Sequence, residues 1–246
     1  MKIAYFDCFS GIAGDMILGA LLDVGVNKNF LIKQLKKLPL KNYTFEVTRV
    51  ERNHIAATDV LITPTKEEQI RSLSDIIGLI KKSSLAPQIK HMSTQIFQRL
   101  GSAEAKIHEI EIEQVHFHEV GAVDSILDIV GSVIGITSLE VDKIFCSPLP
   151  IGHGFVHCAH GLLPLPAPAT VELLKGIPVY AVDRDHELVT PTGAAVITTI
   201  ASHFGEMPPM RIERIGYGSG KIQSTYPNIL RLYIGEIITE KGKKSK

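Results

Sequence analysis

Two histidines and three carboxylates fall within a stretch of thirteen residues, from His116 to Asp128. If this stretch begins as a strand, alternate side chains share a face, so His116 and His118 point together, away from the apolar Phe117 between them. Gly121 then interrupts the strand, and the apolar residues after it have helical spacing. Imidazole and carboxylate groups bind divalent transition metals in proteins. We therefore expect a metal site, and its candidate ligands in this stretch are His116, His118, Glu119, Asp124 and Asp128.

The spacing leaves the metal and part of the ligand set open. Aspartate in a first helical turn is favoured by the helix dipole and by free N–H groups, so Asp124 also fits a purely structural role. The histidine pair beside Glu119 is harder to explain structurally, because buried imidazoles need polar partners. Zinc, nickel, iron and manganese suit such nitrogen and oxygen ligands about equally.

A glycine-rich turn joins the first predicted strand to the first predicted helix. Backbone N–H groups at a helix start hold phosphate or carboxylate groups in many proteins, although this turn is neither a Walker loop nor a dinucleotide fingerprint. A tight turn that simply requires glycine explains the same residues. The strand end is also where α/β folds place ligands. The candidate nucleotide-binding residues here are Asp7, Ser10, Gly11, Gly14 and Asp15.

Three later segments carry further polar groups. The loop from Gly152 to Gly161 contains His153, His157, Cys158 and His160, a ligand set attractive to soft metals, although single histidines in loops are more often merely exposed or hydrogen-bonded. Gly216 to Gly220 reads as a flexible link or a hairpin connection. The third segment runs from Thr190 to Ala195 and predicts the start of a helix, with Thr190 as its N-cap. Alternatively, hydroxyl and N–H groups of Thr190, Thr192 and Gly193 bind a phosphate.

Composition excludes several classes of protein. The 246 residues are 45% hydrophobic, enough for a globular core, and Lys plus Arg equals Asp plus Glu at 26 each. This balance predicts neither a nucleic-acid partner nor an acidic membrane surface as partner. Three well-separated cysteines argue against a disulfide framework. Because no apolar run reaches membrane-spanning length and the N-terminus lacks a signal-peptide pattern, we expect a cytoplasmic protein.

Helical and alternating patterns follow one another along the chain and predict an α/β (mixed α+β) fold, a sheet packed with helices. We expect residues 1–238 to form one large domain or two closely packed subdomains, and 239–246 a flexible basic tail. The predicted strands are 1–6, 43–50, 55–63, 143–146, 179–182, 210–215 and 229–238. The predicted helices are 17–24, 70–80, 86–107, one that begins near Asp124, 169–174 and 191–203.

Five blocks, in order from Ala4 to Arg231, closely resemble the LarC nickel-insertion family. The blocks read F-D-C-F-S-G-I-A-G-D-M, H-F-H-E-V-G-A-V-D-S-I-L-D-I-V-G, A-H-G-L-L-P-L-P-A-P-A-T, E-L-V-T-P-T-G-A-A, and G-Y-G-S-G followed by P-N-I-L-R. The resemblance implies insertion of nickel into pyridinium bisthiocarboxylic acid mononucleotide, the precursor of the nickel-pincer nucleotide of lactate racemase. It also implies CTP hydrolysis assisted by manganese or magnesium, a cyclometallase of the lyase class.

The sequence departs from the family pattern in two places. Relatives continue into a C-terminal portion that binds CTP and its divalent ion. The resemblance therefore implies that this sequence is only the N-terminal part of such a protein, or that it needs a separate CTP-binding chain as partner. Relatives often carry a His-rich stretch where this chain has residues 65–71, which puts nickel storage there in doubt.

The combined hypothesis is that the metal cluster, with His160, holds nickel for delivery, and that the glycine turn holds the nucleotide's phosphate. Glu119 or His160 is expected to act as the base that takes the ring proton. Two alternatives stay open: a non-catalytic nickel-binding module that serves a separate chain, and a metal-dependent hydrolase. Assembly into a homo-oligomer is also left open.

Overall fold

A computed structural model describes residues 1–66, 70–117, 121–158 and 161–238. Within these residues, seven helices accompany a mixed seven-stranded sheet and three small two-stranded sheets, which confirms the predicted mixed α/β class. The division into domains stays a prediction, and the predicted tail 239–246 lies outside the described residues. The helices are α1 (Gly14–Asp23), α2 (Lys28–Leu35), α3 (Leu73–Lys82), α4 (Pro87–His108), α5 (Val123–Ser138), α6 (Pro168–Leu173) and α7 (Pro191–Ile200).

The strands of the described residues number thirteen, and a short 3₁₀ helix, Ile112–Gln114, precedes the fifth. They are β1 (Lys2–Asp7), β2 (Tyr43–Arg52), β3 (Ile55–Pro64), β4 (Arg71–Ser72), β5 (His116–Phe117), β6 (Lys143–Cys146), β7 (Leu149–Ile151), β8 (Phe155–Cys158), β9 (Gly161–Pro164), β10 (Val179–Ala181), β11 (His203–Phe204), β12 (Met210–Ser219) and β13 (Ile229–Ile237).

The large sheet has the order β11-β6-β1-β13-β12-β3-β2. Strand β6 runs parallel to β1 and β11, β12 runs parallel to β3, and β13 is antiparallel to both of its neighbours. The carboxyl ends of β1, β6 and β12 therefore meet at one edge of the sheet. Open α/β sheets bind ligands at this kind of edge.

Helix α1 packs closely against the sheet because glycines lie at the contact. A Cβ on Gly218 of β12 would collide with the carbonyl oxygen of Met16, and a Cβ on Gly19 with that of Thr58. Segment 216–219 is therefore part of β12, and its interpretation as a flexible link or hairpin connection was wrong. The glycines serve close helix–sheet contact rather than flexibility.

The histidine-carboxylate stretch has the predicted local structure as far as it is described. Val115 and Phe117 are buried and His116 is exposed, as strand alternation requires. Helix α5 follows, with Asp124 in its first turn, and its apolar residues fill the core. Arg71 of β4 donates a 2.8 Å hydrogen bond to the carbonyl oxygen of Gly121, which connects the two segments.

Several predicted boundaries were wrong for local reasons. Helix 70–80 begins only at Leu73, because Ser72 and Asp75 form a reciprocal capping box there. Helix 191–203 ends at Ile200, because His203 pairs with β6 as strand β11. Helix α2, capped by Asn27, was missed. None of the described helices is both long and apolar enough to cross a membrane.

Candidate functional site

A cavity of about 380 Å³ opens at the carboxyl edge of the sheet. One wall comes from the start of α1, a second from the segment before α7, and a third from the connection between β12 and β13. The hairpin of β8 and β9 contributes Phe155 and Val156. The volume of the cavity is in the usual range for small-molecule sites. The polar residues around it are Asp15, Asp185, His186, Glu187, Thr190, Lys221 and Asn228.

The starts of α1 and α7 are joined beside this cavity. Ile12 forms a parallel bridge with Val189: its N–H donates to the carbonyl oxygen of Leu188, and its own carbonyl accepts from the N–H of Thr190. Gly11 has a positive φ of 97°, and a Cβ there would collide with the Leu188 carbonyl. Thr190 caps α7, as predicted, by accepting a 3.1 Å hydrogen bond from the N–H of Gly193.

These contacts bring together most of the predicted nucleotide-binding residues but occupy several of their donors. The N–H of Gly11 donates to Cys8 and that of Ile12 to Leu188. Thr192 is buried, and the N–H of Gly193 belongs to the α7 cap. Phosphate binding by this turn stays a prediction, with fewer free N–H groups than the sequence alone suggested.

Three carboxylates cluster where α5 meets the start of α1. A Cβ built on Gly14 would lie 2.5 Å from Oδ2 of Asp128, so only glycine lets this carboxylate approach the helix. Burial raises the pKa of Asp128, and the charges of Asp15 and Asp124 raise it further. Burial also raises the pKa of Asp15 to about 6, although Lys221 opposes the shift. The buried carboxyl groups of this cluster therefore hold protons more tightly than exposed ones do, and a bound cation would relieve the same repulsion.

Lys221 is the ammonium group at this cluster. Its Nζ lies 3.7 Å from Oδ2 of Asp15 but donates at 2.8 Å and 2.9 Å to the two carboxylate oxygens of Asp59, and at 2.8 Å to the carbonyl of Val60. Its donors are therefore mostly committed to β3. Lys221 and Asp59 were not predicted as site residues, because their proximity depends on the parallel pairing of β12 and β3, which no short motif encodes.

Asp7 and Ser10, also predicted in the nucleotide site, each contact an arginine. Oδ2 of Asp7 accepts hydrogen bonds from Nε of Arg231 at 3.0 Å and from Nη2 at 2.5 Å. The Ser10 hydroxyl accepts one from Nη1 of Arg184 at 2.9 Å. Both arginines were missed as site residues, although Arg231 belongs to one of the quoted motifs.

The predicted metal ligands are only partly placed. His116 is exposed on β5 opposite Ser72. His118, Glu119 and His160 lie outside the described residues. Elsewhere, His153 contacts Asp183 at 2.9 Å and His157 is exposed on β8. No group of three or more His, Cys, Asp or Glu suited to a metal ion occurs among the residues that are described.

The sheet edge, the cavity and the buried carboxylates define an α/β protein with an acidic cavity as its candidate site. Its sequence matches the family model described as nickel insertion protein over residues 4–246. The chain belongs to this nickel insertion protein family. No solved structure matches it closely enough to compare.

Curated relatives support the same assignment. The chain is 53% identical over 245 residues to the pyridinium-3,5-bisthiocarboxylic acid mononucleotide nickel insertion protein of Desulfitobacterium hafniense, which covers 99% of this chain and 61% of that protein. The protein of the same name from Geobacillus kaustophilus is 47% identical over 247 residues, with 96% and 60% covered. A relative from Dictyoglomus thermophilum is 49% identical over 244 residues, with 99% and 63% covered. The chain therefore spans about three fifths of the length of these relatives.

Proposed function

We propose that this chain inserts nickel into pyridinium-3,5-bisthiocarboxylic acid mononucleotide and binds the nucleotide in the cavity between α1 and α7. The observation that carries the proposal is the position of this cavity. It opens at the sheet edge where such folds bind ligands, beside a cluster of carboxylates. The names of the relatives supply the substrate, and the cavity volume suits a mononucleotide.

Nickel is cargo in this scheme. The proposed ligands are His116, His118 and Glu119, with Asp124, Asp128 and His160 as further members of the set. Two features support the assignment. His116 is exposed and free of the core, and Asp124 and Asp128 lie one turn apart on α5, where their mutual repulsion would fall on binding a cation. Mixed nitrogen and oxygen ligands release nickel more readily than a set of thiolates would.

The chemistry replaces a carbon–hydrogen bond of the pyridinium ring with a carbon–nickel bond. The electron pair of the broken bond remains on carbon and binds Ni²⁺, and the proton passes to a base. We propose Glu119 or His160 for this role, since either group accepts a proton near neutral pH when suitably placed. No redox partner is needed, because the nickel stays divalent.

CTP hydrolysis, with manganese or magnesium as its divalent ion, is proposed for the part of the relatives that this chain does not cover. A C-terminal CTP-binding chain is accordingly the proposed partner, and the complete reaction would be that of a cyclometallase, in the lyase class. Because the chain spans only about three fifths of its relatives, a non-catalytic nickel-presenting role for this portion is the second candidate.

Calorimetric titration with nickel tests the ligand assignment. The double variant His116→Ala/His118→Ala should lose nickel binding, whereas the matched variant His54→Ala/His91→Ala, which removes two exposed histidines elsewhere, should keep it. Zinc and manganese serve as comparison ions. Unchanged nickel binding by the first variant, or none by the unaltered chain, would overturn the assignment.

Activity separates the two candidate functions. The chain, the nucleotide precursor, nickel and a CTP-binding partner are combined, and formation of the pincer nucleotide is followed by its absorbance. Nickel transfer that depends on His116 and His118 supports insertion by this chain. Nickel binding by a chain that neither binds nor changes the nucleotide precursor, while the partner does, supports the presenting module instead.

A further inference from the structure

Two arginines flank the residues that follow β1. Phe9 and Ser10 are consecutive, and each contacts one guanidinium group: Arg231 lies over the Phe9 ring at 5.3 Å from its centroid, and Arg184 donates to the Ser10 hydroxyl at 2.9 Å. Burial raises the pKa of Tyr180, Arg184 lowers it, and Asp7, the carboxylate paired with Arg231, raises it, so Tyr180 lies near both groups. The two guanidinium groups therefore belong to one surface patch.

Their charges are satisfied to different degrees. Arg231 is paired with Asp7 and packs against Tyr233, with its guanidinium carbon 5.1 Å from the ring centroid. Arg184 donates to an uncharged hydroxyl, and among the described residues no carboxylate forms an ion pair with it. The neighbouring Asp183 and Asp185 instead contact histidines. Arg184 thus keeps its positive charge and most of its N–H donors available.

Arg184 also sits at the cavity rim. Residues 185–188, directly after it, line the cavity, and so do Ile222 and Asn228 of the connection between β12 and β13. The guanidinium carbon of Arg184 lies 4.3 Å from the ring centroid of Tyr226, which belongs to that same connection. The contact joins two of the three cavity walls. Tyr226 is 52% exposed and Tyr180 is 42% exposed, so aromatic surface is available beside the charge.

The other donors near the cavity are less suited to an anion. The ammonium group of Lys221 is held by Asp59 and Val60. The N–H groups of Gly11 and Ile12 are already bonded, and the carboxylate of Asp15 would repel a phosphate at the start of α1. A phosphate therefore gains most at the guanidinium group, whose planar fork matches its oxygens.

We infer that Arg184 binds the phosphate of the mononucleotide, with the exposed rings of Tyr180 and Tyr226 beside its planar heterocycle. The inference rests on the proposed function, since it takes a pyridinium mononucleotide as the substrate class. A tyrosine face suits a pyridinium ring because the positive charge of the pyridinium is attracted to the π-electrons of the tyrosine. The acidic cluster at the other side of the cavity is then left for the metal.

Nicotinate mononucleotide, a pyridinium mononucleotide without sulfur, is a suitable probe, and its riboside is the same molecule without phosphate. Calorimetry should show that the unaltered chain prefers the mononucleotide to the riboside by at least about tenfold, the usual effect of losing a charge-assisted hydrogen bond. Arg184→Gln should bind both compounds alike, at the affinity of the riboside. Arg184→Lys should retain part of the preference.

The matched control is Arg211→Gln, which removes an exposed arginine near the other end of β12. It should leave the preference unchanged, and thermal melting should show both glutamine variants folded. Equal preference in Arg184→Gln and the unaltered chain would overturn the inference, and so would an unaltered chain that binds the two compounds alike or binds neither. Nickel titration of the same samples reports separately on the proposed function, because Arg184 takes no part in the metal cluster.

Discussion

Asp7 and Asp15 stand at the two ends of one turn, and their surroundings are opposite. Asp7 accepts two hydrogen bonds from the guanidinium group of Arg231, so its charge is paired. Asp15 is largely buried beside Asp128, and the nearest ammonium group, that of Lys221, is shared with Asp59. Burial raises the pKa of Asp15 to about 6.

The difference separates a structural carboxylate from one suited to ligand chemistry. A paired carboxylate stabilises the fold and has little left to give a ligand. A buried carboxylate with an incomplete partner costs free energy, which a proton or a bound cation recovers. Carboxyl groups with strongly shifted pKa values are typical of functional sites, and Asp15 lines the cavity.

The largest expected effect comes from unpairing Asp7. Arg231→Gln should lower the free energy of unfolding by about 3 kcal/mol, because it leaves a partly buried carboxylate without its cation. The double variant Asp7→Asn/Arg231→Gln should recover most of that loss, since neither charge remains. Urea denaturation of the three proteins measures this. If Arg231→Gln is as stable as the unaltered chain, Asp7 does not depend on this ion pair and its contrast with Asp15 is lost.

Asp15→Asn should have the opposite sign at neutral pH. The folded-state pKa of Asp15 is about 6, against 3.8 when unperturbed, so folded protein holds the proton more tightly. The resulting stability is complete below about pH 3.8 and is lost as pH rises through about 6. The variant should therefore be more stable by up to about 3 kcal/mol at pH 7.5, and the gain should vanish near pH 4. Thermal melts across this range test it, and a pH-independent difference would contradict it.

Lys221→Gln sharpens the contrast further. Removing the ammonium group should raise the pKa of Asp15 above 6 by roughly one unit, equivalent to about 1 kcal/mol, because Lys221 now favours its ionised form. Carboxyl NMR titration reads the shift directly. Lys221→Arg, which keeps the charge, should change the pKa little; an equal shift in both variants would mean that packing, not charge, is responsible.

The smallest effect is expected at Ser10, between the two carboxylates. Ser10→Ala removes an uncharged acceptor from Arg184 and should cost about 0.5–1 kcal/mol, because the half-buried guanidinium group exchanges the lost hydroxyl for water and no charge is left unpaired. Urea denaturation of Ser10→Ala and Arg231→Gln under the same conditions compares their losses in free energy of unfolding. A cost equal to that of the arginine variant would show that Ser10, rather than Asp7, anchors this turn.

Sequence patterns predicted the regular elements where local forces decide them. The alternation in β2 and β3, the cap at Thr190 and the first-turn position of Asp124 all follow from neighbouring residues, and the structure confirms them. Glycines misled the analysis at 216–219, because the demand for glycine comes from α1, nearly two hundred residues away in sequence. Local propensity carries no information about such a contact.

The candidate site shows the same limit. The motifs predicted Asp15 and Thr190, and the structure brings both to one cavity. Lys221 contacts Asp15 from the far end of the chain, and the pairing between β12 and β3 positions it. Arg184 contacts Ser10 and Tyr226, each of which lies far from it in sequence. Charges that modify a site at long sequence separation become visible only when the topology is known.

The sheet order also constrains how the chain is made. Strand β13 lies at the centre of the sheet and pairs with β12 and with β1, which is synthesised before any other described strand. At roughly 5–20 residues per second, a ribosome needs on the order of 10–45 seconds between these two strands. Throughout that interval the apolar residues Ile3 to Phe6 lack their central partner. We therefore expect the nascent chain, rather than the finished protein, to be the form that depends on chaperones.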